Sequence, residues 1–148
     1  MDGPYDEDLL KGKELLEAAD GVKALPFLES AYAKAPDDPK AMSYLGLAGA
    51  IERGQMSRGV DLCRAALQAS PDDVQMYVNL AKVYLQAKHK RHAIQVIEAG
   101  LSVDPDASAL WGLRRQLGIR RQPVLSFLPR RHVLNRWLGR TAAWLGLR

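Results

Sequence analysis

Small and apolar residues recur along the first hundred or so residues of the chain with a regular period. Pro36, Pro71 and Pro105 mark this period, because they lie 35 and 34 residues apart. Ahead of each proline, small residues stand at matching offsets, and larger apolar residues three and four apart form the stripe that a helix buries. Such a period is typical of stacked helical hairpins, none of which can bury its apolar face alone. The small residues are Ala24 and Ala31, Gly59 and Ala66, and Ala93 and Gly100.

The pattern predicts two helices in each repeat, and therefore an all-α fold. The junctions between repeats carry aspartates that can accept hydrogen bonds from first-turn amides, and Pro39 suits the first position of a helix. We expect first helices at about 5–19, 39–53 and 73–87, and second helices at about 22–34, 57–69 and 90–103.

A further helix is predicted after the third repeat. Leu110, Leu113 and Leu117 fall on one stripe with Trp111 beside them, and Gly118 follows. A solenoid needs a helix at its open end to cover the last apolar face. We therefore expect this helix to cap the array and to end at Gly118.

The third repeat carries aromatic, leucine, small and proline residues at the positions of a known repeat. These residues are Tyr77, Leu80, Ala81, Tyr84, Ala93, Ile97, Gly100 and Pro105. On these positions the chain resembles the tetratricopeptide repeat (TPR) family. The resemblance implies a right-handed superhelical solenoid of antiparallel helix pairs, with hairpins at about 5–38, 39–73 and 74–107. With the capping helix, these hairpins would form one domain over 1–118.

The resemblance also implies a binding groove, because the first helices of this family line the concave face. It predicts an adaptor that binds a peptide or helix of another protein there. The alternative for each groove position is packing against a neighbouring helix. The predicted groove residues are Leu16, Tyr44, Leu47, Ile51, Asn79, Lys82 and Gln86.

One variant of the family grips the terminal carboxylate of a chaperone tail with two asparagines and several lysines. This chain has Lys13 and Tyr44 at the two asparagine positions. We therefore do not extend the resemblance to this clamp.

The charge of the chain is divided between its two parts. Residues 1–106 hold all 17 acidic residues, whereas residues 107–148 hold nine arginines and no acid. The single cysteine, Cys63, excludes an internal disulfide and favours a reducing compartment. The amino terminus lacks the basic and then apolar pattern of a signal peptide. We therefore expect a cytoplasmic protein.

Candidate chemistry is sparse. His89 and His92 stand three residues apart, but a metal site needs further ligands and none is evident nearby. A solvated basic turn explains them better, and the lack of a basic stripe elsewhere disfavours nucleic acid. Cys63 fits a packed position. We predict no enzymatic activity, no metal and no cofactor.

Residues 119–148 form the second predicted unit, a connector containing two prolines followed by a basic amphipathic helix. This segment is similar to a carboxyl-terminal extension of some bacterial TPR proteins. Three interpretations stay open: the helix closes the solenoid, docks on a partner or a second copy, or lies on an anionic membrane at the inner leaflet. The predicted docking residues are Arg131, Arg136, Trp137, Arg140 and Trp144.

Overall fold

The computed structural model describes residues 4–118, and this part of the chain is all-helical. Each of the seven helices predicted before residue 118 is present, with ends within a few residues of the expected ones, whereas the predicted helix of the tail lies outside the described residues. The helices are α1 (Pro4–Glu17), α2 (Gly21–Lys34), α3 (Pro39–Arg53), α4 (Met56–Ala69), α5 (Val74–Gln86), α6 (Lys90–Val103) and α7 (Ser108–Gln116).

Side-chain caps begin three of the helices. Asp20, Asp38 and Asp73 each accept a hydrogen bond from a first-turn amide of α2, α3 and α5. Each cap of this kind contributes about 1 kcal/mol. Pro39 occupies the first turn of α3, as predicted. Aspartates in the loops therefore fix the start of these three helices.

A left-handed residue lies at the same point in the turn of each hairpin. Gly54 has φ 65°, and Ala19 and Lys88 have φ 60° and 59°. Only glycine adopts this conformation without cost, and other residues lose about 1 kcal/mol or more. The packing of each helix pair therefore holds Ala19 and Lys88 in a conformation that their side chains disfavour.

The core runs through the whole array. Three clusters of buried residues follow one another, around Leu28, Leu47 and Ile97 respectively. Leu16 packs against the first two clusters and Leu67 against the last two. The hairpins therefore share one continuous apolar interior, as expected for repeats that depend on their neighbours.

Cys63 lies within this core, fully buried on α4. Its thiol donates a hydrogen bond to the backbone carbonyl of Ser43, with Sγ and O 3.4 Å apart. Burial raises the pKa of the Cys63 thiol to about 12. The side chain therefore acts as a packed hydrophobe and is not a nucleophile at neutral pH.

We expect the Cys63 thiol of the folded protein to resist Ellman's reagent at pH 8. Because the thiolate is the reactive form and the thiol is buried, labelling requires unfolding. The labelling rate of the folded protein should be at least about a hundredfold below the rate in urea. Rapid labelling of the folded chain, measured by absorbance, would contradict the burial of this residue.

Candidate functional site: the concave groove

The odd-numbered helices form one face of the array. α1 contacts α3, α3 contacts α5 and α5 contacts α7, whereas α2, α4 and α6 of the described chain make no contact with one another. Because the odd-numbered helices lie closer together, the array curves around them. Their exposed side is therefore concave, and we call it the groove.

A cavity of about 360 Å³ lies in the groove, between α1, α3 and the start of α5. Lys13 and Lys40 line it together with Asp6 and Asp73, so both signs of charge are present. Leu10 also lines the cavity and is 56% exposed, so its apolar side chain is accessible there. The cavity therefore offers an apolar contact with charged groups around it, as a peptide ligand requires.

Tyr44 contributes a hydroxyl group to the same cavity. The residue is only 5% exposed, but it lines the cavity from α3. Burial, with the nearby carboxylates of Glu17 and Asp73, raises the pKa of Tyr44 to about 12. The hydroxyl therefore stays protonated at neutral pH and can donate a hydrogen bond to a ligand.

Gln75 is held at the cavity by a chain of two side-chain hydrogen bonds. Its Nε2 donates to Oδ1 of Asn79 over 2.8 Å, and Nδ2 of Asn79 donates to Oγ of Ser43 over 3.0 Å. Ser43 and Asn79 are both fully buried. This chain links α3 with α5 and restricts the orientation of the Gln75 amide, which lines the cavity.

Five of the seven predicted groove residues retain some surface. Tyr44 lines the cavity, and Leu16 is half-buried against the core. Ile51, Lys82 and Gln86 are exposed on α3 and α5 but do not line the cavity. Only Tyr44 of the predicted set therefore lies at the cavity itself.

Leu47 and Asn79 are placed differently from the prediction. Leu47 is 2% exposed and Asn79 is 0% exposed, so neither side chain offers surface to a ligand. The cause is the number of neighbouring helices, because α3 contacts α1, α2, α4 and α5, and α5 contacts α3, α4, α6 and α7. For these two residues, the alternative of packing between helices is the correct one.

The prediction missed eight of the nine residues that line the cavity, among them Leu10, Lys13, Lys40 and Gln75. Three of these four precede predicted residues by one helical turn: Lys13 before Leu16, Lys40 before Tyr44 and Gln75 before Asn79. Residues three or four apart share a helix face. Extending each predicted stripe one turn towards the helix start would have found them.

Other candidate chemistry is limited in the described part of the chain. The rings of His89 and His92 lie 5.8 Å apart, and both residues are exposed. Between residues 4 and 118, no three His, Cys, Asp or Glu side chains are grouped to hold a metal ion. No helix in the same range has the length and apolar character to cross a membrane.

The predicted tail residues lie outside the described residues. Docking of the tail on a membrane, a partner or a second copy therefore stays a prediction from the sequence. The residues concerned are Arg131, Arg136, Trp137, Arg140 and Trp144.

Known proteins share this arrangement of helices. The Tetratricopeptide repeat family model matches residues 50–117. Human Tetratricopeptide repeat protein 7A is 30% identical over 116 residues, which cover 78% of this chain but only 13% of that protein. The chain thus spans a small part of the length of this relative.

Solved structures show the same fold at low sequence identity. A thermophilic TPR protein of Thermus thermophilus superimposes with a TM-score of 0.68 and 18% identity, covering 76% of this chain and 63% of that one. The TPR2B domain of yeast Sti1, solved in a complex with pHsp70, gives a TM-score of 0.64 and 20% identity, covering 80% and 98%. The predicted all-α solenoid of antiparallel helix pairs is confirmed, and the chain belongs to the tetratricopeptide repeat family.

Proposed function

We propose that this chain is a protein-interaction adaptor that binds a peptide segment of a partner protein in the groove. The observation that carries the proposal is the cavity lined by α1, α3 and α5, where exposed Leu10 stands beside groups of both charges. A binding surface of this kind combines a small apolar anchor with polar groups that orient the ligand.

Three cavity residues have distinct proposed roles. Leu10 contacts an apolar side chain of the ligand, while Lys13 attracts a carboxylate. Gln75, held by Asn79, forms a hydrogen bond with the peptide backbone, a group that every ligand sequence presents. The Sti1 domain, which was solved in a complex with pHsp70, supports binding of a protein ligand by this fold.

The proposal predicts that removing two of these contacts weakens binding without unfolding the array. Peptides of about twelve residues would be selected from a random displayed library with the wild-type chain. Their affinity for the double variant Leu10→Ser and Gln75→Ala should fall by about tenfold or more, since both contacts are lost at the centre of the site. Fluorescence anisotropy measures the affinity, and circular dichroism checks the fold.

The matched control is the double variant Lys82→Ala and Gln86→Ala. Both residues are exposed on α5 but lie away from the cavity lining. Binding by this control should stay within about twofold of the wild type. Equal loss in both double variants, or selection of no peptide at all, would refute the groove as the binding site.

A further inference from the structure

A second cavity lies on the other face of the array, in the cleft between α4 and α6. Its volume is about 460 Å³, within the range of ligand sites in proteins. α4 and α6 do not contact each other, so Leu80 and Tyr84 of α5 form its floor. We call it the α4–α6 cleft. It shares no lining residue with the cavity of the groove.

The equivalent cleft between α2 and α4 is almost filled, with a cavity of about 10 Å³. There Glu29 of α2 forms an ion pair with Arg53 at the end of α3, with Oε1 and Nη1 2.5 Å apart. Both residues line that cleft. The ion pair therefore bridges α2 and the end of α3 along this cleft, and a ligand bound there would have to displace it.

The repeat spacing shows why this bridge is missing from the α4–α6 cleft. Arg64 stands 35 residues after Glu29, so a cation replaces the acid. The left-handed residues Gly54 and Lys88 occupy equivalent positions 34 residues apart. The residue equivalent to Arg53 is therefore Ala87, which has no charge. Both members of the ion pair are thus replaced.

The α4–α6 cleft is consequently basic at its rim and apolar beneath. Arg64 and His92 line it, and none of its lining residues is acidic. Arg64 is exposed and takes part in no ion pair with the described residues. Leu67 and Val96 supply apolar surface on either side. An exposed cation above an apolar floor is complementary to a carboxylate beside an apolar side chain.

His92 is held at the rim by a ring contact. It stacks on Tyr84 with ring centroids 5.2 Å apart and an angle of 24° between the ring planes. The exposed residues Lys88, Lys90 and Arg91 add positive charge next to it, whereas the acidic Asp61 lines a neighbouring cavity with Tyr84 and His89. Positive charge is therefore concentrated at one end of the α4–α6 cleft.

We propose that the α4–α6 cleft binds an acidic segment of a partner protein, in which an apolar side chain stands next to Asp or Glu. The apolar residue occupies the space between Leu67 and Val96, and the carboxylate pairs with Arg64. Nucleic acid fits less well, because its affinity needs many phosphate contacts and Arg64 is the one arginine or lysine among the lining residues. This surface is separate from the groove and does not depend on the function proposed for it.

The test uses the full chain and labelled peptides of about eight residues. The first peptide has one leucine among Asp and Glu, the second has serine for the leucine, and the third has lysine for every acid. A single-stranded oligonucleotide of equal charge is the fourth probe. Fluorescence anisotropy at low salt should show binding of the first peptide, with affinity at least about fivefold above that of each other probe.

Arg64→Glu should reduce the affinity for the acidic leucine peptide by about tenfold or more and increase that for the lysine peptide. Arg58→Glu is the matched control, since Arg58 is exposed on the same helix but lines the filled cleft. It should change the affinity by less than about threefold. The variant Arg64→Gln removes the charge and keeps a polar side chain. Circular dichroism of each variant then separates loss of the contact from loss of the fold.

Four results would overturn the proposal. In the first, the acidic leucine peptide fails to bind at about 1 mM. In the second, the serine peptide binds as well as the leucine peptide, which would mean that the apolar floor makes no contact with the ligand. The oligonucleotide binds more tightly than any peptide, or Arg58→Glu weakens binding as much as Arg64→Glu. Because Leu10 and Gln75 remain intact in Arg64→Glu and Arg58→Glu, a difference between these two variants cannot arise from the groove.

Discussion

Replacing Gly59 with leucine is expected to separate α3 from α4 and to destabilise the array strongly. A Cβ atom at this position would lie 2.7 Å from the backbone oxygen of Gly46 and 3.0 Å from Cβ of Ala50. A backbone atom cannot turn away as a flexible side chain can, so the helices must move apart. We expect a loss of at least about 3 kcal/mol, a large part of the stability of a small domain.

Thermal unfolding followed by circular dichroism measures this effect. The midpoint should fall by more than about 10 °C in Gly59→Leu. Gly112→Ala on α7 is the control, because a Cβ atom there has no other atom within 4 Å. Alanine favours the helix by about 1 kcal/mol over glycine, so this variant should melt slightly higher. A Gly59→Leu chain as stable as the wild type would mean that α3 and α4 do not approach this closely.

The substitution Asn79→Asp is expected to destabilise the protein in a manner that depends on pH. The change keeps the size of the side chain but removes the Nδ2 donor to Ser43 and places a carboxylate in a fully buried position. Loss of the hydrogen bond and burial of a charge should together cost about 3 kcal/mol at pH 7.

The sign of the pH dependence follows from burial. A buried carboxyl group has a folded-state pKa above its unfolded value of about 3.9. Below that unfolded pKa the group is neutral in both states and can again donate to Ser43, so the variant approaches the wild type. Stability is then lost as the pH rises through the raised pKa of the folded state.

Urea unfolding of both proteins at pH 4 and pH 7 tests this expectation. The control is Gln86→Glu, which adds the same charge at an exposed position of the same helix. Its stability should stay within about 0.5 kcal/mol of the wild type at both pH values. An Asn79→Asp deficit that is equal at both pH values would show that the charge is not buried.

The groove shows where sequence periodicity stops being informative. The stripe through Tyr44, Leu47 and Ile51 lies on one face of α3, but α3 is covered by four other helices. Every residue from 43 to 50 is buried. A helix that is apolar on all sides is a buried helix, and the run from Ser43 to Ala50 carries that signal.

Asn79 illustrates a second limit. A polar side chain on a first helix favours a surface position, yet its partner is Ser43, 36 residues earlier in the chain. A single sequence contains no mark of that pairing. The role of Asn79 is therefore to hold Gln75 and to join two helices, which only the packed structure reveals.

The sequence by itself determined the order, length and pairing of the described helices. These depend on local chemistry: the spacing of Pro36, Pro71 and Pro105, the aspartate caps, and small residues at matched offsets. The tertiary structure decided which surfaces remain open. The cavity of the groove, and the difference between the two clefts, depend on which residues of separate helices meet, as Glu29 and Arg53 do. Contacts of this kind are set by the packing of whole helices against each other, and a local sequence pattern does not predict them.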